Sequence, residues 1–148
     1  MFQTLKHPGA MAVTMAAAGI LMITMGIRQS IGLYLSPINT TTGLGIVTLS
    51  LALAIGQFVW GAIQPITGAL ADRHGPRGVL IGGIILTALS FAITPWMSTG
   101  FGLALTIGVM SAAGTGAASF SVLIGAAAQK MPAEARGTAS GVINAGGS

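Results

Sequence analysis

The sequence predicts an all-α, polytopic membrane protein, and three observations support that fold class. Only 5% of the 148 residues are charged and 53% are hydrophobic, whereas about 25% of the residues in a soluble domain are charged. Residues 29–71 and 78–129 contain no Lys, Arg, Asp or Glu, and about 20 apolar residues are enough for one membrane-spanning helix. The apolar segments do not alternate with period two, which excludes a transmembrane β-barrel.

Turn-forming residues divide the chain into four membrane-spanning helices and the start of a fifth. The first helix is expected to end near Pro37, and an uncharged, turn-rich connector, 38–46, precedes the second. A fifth helix that stops at Ser148 reaches only about 18 Å, too short to cross a bilayer. The sequence is therefore expected to need a missing C-terminal helical half or a second chain. The predicted helices are 10–35, 47–70, 78–94, 101–128 and 137–148.

The basic residues outside the helices fall on one side of the predicted bundle. Lys6 precedes the first helix, Arg73 and Arg77 follow the second, and Lys130 and Arg136 follow the fourth. Because Lys and Arg are enriched in cytoplasmic loops, the N-terminus is expected in the cytoplasm. We expect a multi-pass protein of the cell (inner) membrane, in contact with the lipid bilayer. The basic residues are placed as orientation signals, so nucleic acid is not an expected partner.

Small residues recur along the fourth predicted helix. Gly108, Ala112 and Gly116 follow one another at four-residue spacing and lead to Ser119 and Ser121. Small side chains let helix backbones approach closely within a bilayer. We therefore expect this face to pack against neighbouring helices.

Arg28 is the charged residue that lies inside a predicted span. A charge at mid-span costs about 2.5–3.5 kcal/mol on insertion scales, so it should face a cavity, a partner or the interface. The two acidic residues, Asp72 and Glu134, lie in predicted cytoplasmic loops. Three interpretations stay open: Arg28 binds an anionic substrate, pairs with an acid of the missing half, or extends to the outer interface.

Polar groups accompany Arg28 in the sequence. Gly32 lies one helical turn after it, and Gln29 and Tyr34 add hydrogen-bonding groups nearby. These residues are consistent with a lined cavity at this level of the first helix.

The second predicted helix carries a polar face of its own. Gln57 and Gln64 lie two turns apart on a face that they share with Trp60 and Gly61. Intramembrane glutamines must find hydrogen bonds, either along a substrate pathway or with a neighbouring helix. The candidate substrate-binding residues are Arg28, Gln29, Gly32, Tyr34, Gln57, Gln64 and, in the fifth helix, Asn144.

Patterns for catalysis, metals and cofactors are missing from the sequence. There is no cysteine, and His7 and His74 have no metal-ligand companions in the sequence. Gly114-x-Gly116 neither follows a strand nor precedes the Gly-Lys-Ser/Thr of a phosphate loop. We therefore expect no enzyme activity, no metal and no cofactor.

Charged residues cluster between the second and third predicted helices. Gly68 and Asp72 lie one turn apart, and Arg73, Gly75 and Arg77 follow. Asp72 can accept hydrogen bonds from a helix N-terminus or pair with a neighbouring arginine. A loop that only sets topology needs the basic residues but neither Gly68 nor Asp72.

These five residues, which we call the gate loop, resemble the signature loop of the major facilitator superfamily in identity and position. Pro76 departs from the family pattern, which usually has a basic residue there. The resemblance implies that the chain forms the first four and a half helices of a twelve-helix fold. It also implies that the gate loop latches two helical halves in the outward-facing state and does not touch substrate.

The stretch from Arg28 to Pro37 resembles the first helix of bacterial superfamily members related to monocarboxylate and oxalate/formate carriers. The resemblance implies a secondary active transporter that works by alternating access. Its substrate would be a small organic anion such as a monocarboxylate or dicarboxylate. The alternatives are a multidrug or uncharged-solute exporter of the same superfamily, or a non-transporting membrane fragment or interaction module.

Overall fold

The computed structural model of the protein describes residues 9–147. In that part of the chain, four helical stretches are long and apolar enough to cross a membrane, as the sequence predicts. We call them the first to fourth spans and call Ala133–Gly146 the fifth helix. The spans are Ala10–Thr42, Ile46–His74, Pro76–Trp96 and Gly100–Ala128.

The first span is longer than the predicted helix 10–35 because Pro37 does not end it. The α-helix Ala10–Ser30 continues through a 3-10 turn, Ile31–Tyr34, into a second α-helix, Leu35–Thr42. Pro37 lies in the first turn of that second helix, where a missing N–H removes no intrahelical hydrogen bond.

The first connector is correspondingly shorter than the predicted 38–46. Gly43 adopts a left-handed conformation with φ 65° and ends the span. Its N–H donates to the Asn39 carbonyl oxygen at 2.9 Å, and the N–H of Gly45 donates to Asn39 Oδ1, also at 2.9 Å. Only residues 43–45 join the first two spans.

The predicted charged loop between the second and third spans is helical almost throughout. The α-helix Ile46–His74 runs past the predicted end at Leu70, and Gly75, with φ 88°, is the one residue between the two helices. Pro76 begins the third span, a position that needs no N–H donor. The third predicted helix, 78–94, is observed as Pro76–Ile93 followed by the 3-10 turn Thr94–Trp96.

The fourth span is not the continuous α-helix predicted over 101–128. Its chain breaks at the buried pair Ala118 and Ser119. In its most apolar window 67% of the residues are buried, against at most 28% in the other spans, so it is the central helix. Its parts are Gly100–Leu103, the π-helical segment Ala104–Met110, Ser111–Ala117 and Phe120–Ala128.

The fifth helix begins at Ala133, earlier than the predicted 137, because Pro132 stands at its N-cap. It packs closely along the first span: a Cβ added at Gly146 would lie 2.6 Å from the carbonyl oxygen of Ala18.

Glycines set the distance at which the fourth span crosses its neighbours. A Cβ added at Gly108 would lie 2.8 Å from the carbonyl oxygen of Ala52, and one at Gly83 would lie 2.7 Å from that of Gly114. A Cβ added at Gly116 would lie 3.3 Å from a backbone oxygen of the second span. These approaches confirm the packing role predicted for Gly108 and Gly116.

The basic residues gather at one end of the bundle, which we call the basic end. Ala10, Met131 and Ala135 share an apolar cluster against which Leu80 packs. This cluster joins the start of the first span, the fourth-to-fifth turn and the start of the third span. Lys6 and the predicted position of the N-terminus lie outside the described residues. The basic side chains exposed at this end are Arg73, Arg77, Lys130 and Arg136.

Candidate functional site

Arg28 lies deep in the first span, about 27 Å along the helix from Ala10 and about 21 Å from Thr42. Its Nη2 donates a hydrogen bond to Oε1 of Gln57 on the second span. Its Cζ lies 4.5 Å from the centre of the Trp60 ring, within the range of a cation–π contact. Two residues of the second span, Gln57 and Trp60, therefore hold the guanidinium.

The positive charge of Arg28 has no counter-charge among residues 9–147. Both acidic residues of the sequence, Asp72 and Glu134, are exposed at the basic end. Asp72 lies about 22 Å along the second span from Gln57 at 1.5 Å per residue. Gln57 itself is neutral and cannot balance the guanidinium.

The guanidinium of Arg28 is directed at the second span, where it contacts Gln57 and Trp60. The three interpretations of Arg28, which are an anionic substrate, an acid of a further helical half and extension to the outer interface, all stay open.

A cavity of about 250 Å³ opens beside Arg28, where the first, second and fourth spans meet. Ile31, Leu53 and Ile107 form apolar parts of its wall. The side chains that bring polar groups to it are those of Arg28, Gln29, Gln57 and Ser111.

The structure separates the candidate binding residues into groups. Tyr34, 60% exposed, lines a second cavity of about 670 Å³ at the opposite end, between the first, third and fourth spans. Gln64 is half-buried on the second span, Asn144 is exposed near the end of the fifth helix, and neither lines the cavity beside Arg28. The candidates that do line it are Arg28, Gln29, Gly32 and Gln57.

Ser111 is a cavity residue that the sequence pattern did not identify. It is 1% exposed and directly follows the π-helical segment Ala104–Met110. A π-helix has more residues per turn than an α-helix, so the four-residue spacing that links Gly108 to Ala112 does not describe this segment. Ser111 and Ala112 both reach the cavity wall, and the sequence carries no signal for the π-helix.

The gate loop lies at the basic end, away from the cavity. Gly68, Asp72 and Arg73 belong to the second span, and Gly75 forms the turn. The side chains of Asp72, Arg73 and Arg77 are exposed. A Cβ added at Gly68 would meet no described atom within 4 Å. Within the described chain, no atom packs against the second span at Gly68.

The comparisons with known proteins agree with this architecture. The sequence model of the Major Facilitator Superfamily matches residues 1–148. The chain is 33% identical over 139 residues to an uncharacterized 38 kDa protein in the 23S RNA operon of Thermoproteus tenax, covering 89% of this chain and 35% of that protein. It is 39% identical over 64 residues to the probable anion transporter 3, chloroplastic, of Arabidopsis thaliana, covering 42% of this chain and 12% of that protein. No solved structure matches the chain.

The chain thus spans about a third of the length of the first relative and less of the second. The family match extends over the whole sequence, and the four apolar spans are those of a multi-pass membrane protein. The chain belongs to the Major Facilitator Superfamily, a family of membrane transporters.

Proposed function

We propose that the protein is a secondary active transporter for a small organic anion, a monocarboxylate or dicarboxylate, and that Arg28 supplies the counter-charge. The single observation that carries this proposal is a guanidinium deep in a membrane span, beside a cavity, with no acid near it among the described residues. The relative from Arabidopsis thaliana is named as a probable anion transporter, which supports the substrate class.

The chemistry of the guanidinium favours a carboxylate. Arginine has five N–H donors in a planar fork that matches the two oxygens of a carboxylate. Gln57 accepts one hydrogen bond, and an anion in the cavity would both use further donors and offset the cost of the buried charge.

Alternating access requires a second bundle, which we propose is a C-terminal helical half or a second chain. The gate loop at the basic end would hold the two bundles together through Gly68 and Asp72. By the positive-inside rule, the basic end would face the cytoplasm and the protein would lie in the inner membrane.

The test is uptake of labelled acetate, lactate and succinate into proteoliposomes that contain the complete gene product. We expect Arg28→Gln to lower uptake about 10- to 100-fold, because a lost charge-assisted pair is worth about 1.5–3 kcal/mol. Arg136→Gln is the matched control: it removes an exposed guanidinium at the basic end and should leave uptake unchanged.

Unchanged carboxylate uptake in Arg28→Gln would contradict the anion site. Transport of uncharged solutes by that variant would favour an exporter, and absence of any transport by the unmodified protein would favour a non-transporting module.

A further inference from the structure

Trp60 contacts Arg28, which the sequence alone does not predict. Its ring lies under the Arg28 guanidinium, with 4.5 Å between Cζ and the ring centre. Its Nε1 is buried and has no hydrogen-bond partner among the described residues. Buried indole N–H groups usually find an acceptor, so the position of this ring is not set by a hydrogen bond of its own.

The fourth span lies close to the Trp60 ring at Gly116. A Cβ added at Gly116 would lie 3.6 Å from Cδ1 of Trp60 and would clash with Cγ2 of Ile63. The absence of a side chain at position 116 therefore leaves room for Ile63 and lets the fourth span come close to the indole.

We propose that Trp60 is a positioning residue for Arg28: its ring fixes the plane of the guanidinium so that the fork meets a carboxylate edge-on. The inference rests on the proposed function and names a further residue of the same site. Cζ of Arg28 lies over the Trp60 ring, and Gln57 accepts a hydrogen bond from one N–H of the guanidinium. A flat carboxylate can then bind in the plane, to N–H groups that have no other acceptor within residues 9–147.

This arrangement makes Trp60 a reporter of binding. The sequence has two tryptophans, Trp60 and Trp96, and Trp96 is 76% exposed in the turn at the opposite end. In a Trp96→Phe background, Trp60 is the one tryptophan left within residues 1–148, and its emission is the difference between that protein and its Trp60→Phe variant. A carboxylate that neutralises the cation over the ring should change that emission.

The first experiment titrates the complete Trp96→Phe protein in nanodiscs with acetate, lactate and succinate, and measures binding in parallel by calorimetry. We expect a saturable change in Trp60 emission with the same Kd as the calorimetric binding. Acetamide, a neutral analogue of acetate, should cause no change, and Arg28→Gln should abolish the response. Saturable binding without any emission change would overturn the inference.

The second experiment compares transport by Trp60→Leu and Trp60→Phe. Trp60→Leu should raise the KM for the transported carboxylate about tenfold with little change in maximal rate, because a desolvated cation–π contact is worth a factor of this order. Trp60→Phe keeps an aromatic face and should stay within about threefold of the unmodified KM.

The outcomes separate the inference from the proposed function. Equal KM values for Trp60→Leu and the unmodified protein would overturn the role of Trp60 and leave anion transport standing. Failure of the unmodified protein to bind any of the three carboxylates would remove both. If Trp60→Leu does not insert in the membrane, the emission titration decides by itself.

Discussion

The cavity region and the basic end both contain guanidinium groups, but in different physical situations. Arg73 and Arg77 are exposed at the basic end, where a charge is solvated and contributes to orientation. Arg28 is half-buried deep in the first span and is held by Gln57 and Trp60. A charge at that depth needs a cavity or a counter-charge, so depth decides which arginine is a candidate for binding an anion.

Glycines differ in a similar way between the interior of the bundle and the gate loop. At the crossing of the third and fourth spans, Gly83 and Gly114 bring two backbones into contact, whereas Gly68 faces space that no described atom fills. The first kind of glycine stabilises this bundle, and the second is suited to contact with another one.

Among the substitutions that test this contrast, Gly114→Ala is expected to have the largest effect on stability. The new Cβ would clash with Thr87 Oγ1 and lie 2.7 Å from the carbonyl oxygen of Gly83, so we expect a loss of about 1–3 kcal/mol from overpacking. Gly125→Ala, in the same span, meets no atom within 4 Å and should be neutral or mildly stabilising. Unfolding in a denaturing detergent series measures both, and equal destabilisation would contradict the observed crossing.

A smaller effect, of opposite sign, is expected from Arg28→Met. Removing an unbalanced charge from the bilayer should stabilise the protein by about 1–2 kcal/mol, less than the insertion cost because the contacts with Gln57 and Trp60 are lost. Arg73→Met, at the basic end, should leave stability unchanged. The same detergent series measures both variants. Destabilisation by Arg28→Met would contradict the contrast between Arg28 and the arginines of the basic end, because it would show that Arg28 stabilises the fold.

The gate loop is expected to affect rate and not binding. Asp72→Asn should lower the maximal transport rate about tenfold with KM changed less than about twofold, because a conformational residue acts after substrate has bound. Glu134→Gln removes the other exposed carboxylate of the basic end and serves as the control, with no change expected. A rise in KM for Asp72→Asn would instead place Asp72 on the substrate pathway.

The smallest effect is expected from Ser90→Ala. Ser90 is 0% exposed, and its Oγ donates to the Thr106 carbonyl oxygen at 2.8 Å. Hydrogen bonds between membrane helices average about 0.6 kcal/mol, so unfolding free energy should fall by about that amount. Ser50→Ala, at an exposed position of the second span, should have no effect, and a loss of similar size there would remove the case for this bond.

The four apolar spans could be predicted from the sequence because burial in lipid requires long uncharged runs. Arg28 and Gln57 could also be selected, since a charge and an amide in such a run need partners. The structure brings those two together. The same rule also selects Gln64, Tyr34 and Asn144, which do not line this cavity, because a polar residue in a span does not reveal which neighbour it meets.

The irregular parts could not be predicted, because tertiary contacts decide them. The π-helical segment contains Thr106, whose carbonyl oxygen also accepts the hydrogen bond from Ser90 on the third span. Asp72 and Arg73 can be helical because the turn after them consists of a single residue, Gly75. In both places the sequence is compatible with the predicted element and with the observed one. A contact with another span decides between them in the first case, and a backbone conformation decides in the second.

The turn at Gly75 has a mechanical consequence. With one residue between His74 and Pro76, the chain has no slack there, and tilting the second span must carry the third with it. The other two described connectors between spans, 43–45 and 97–99, each have three residues. Bending within residues 9–147 would therefore fall on those two connectors, far from the charged surface, and the second and third spans would move together.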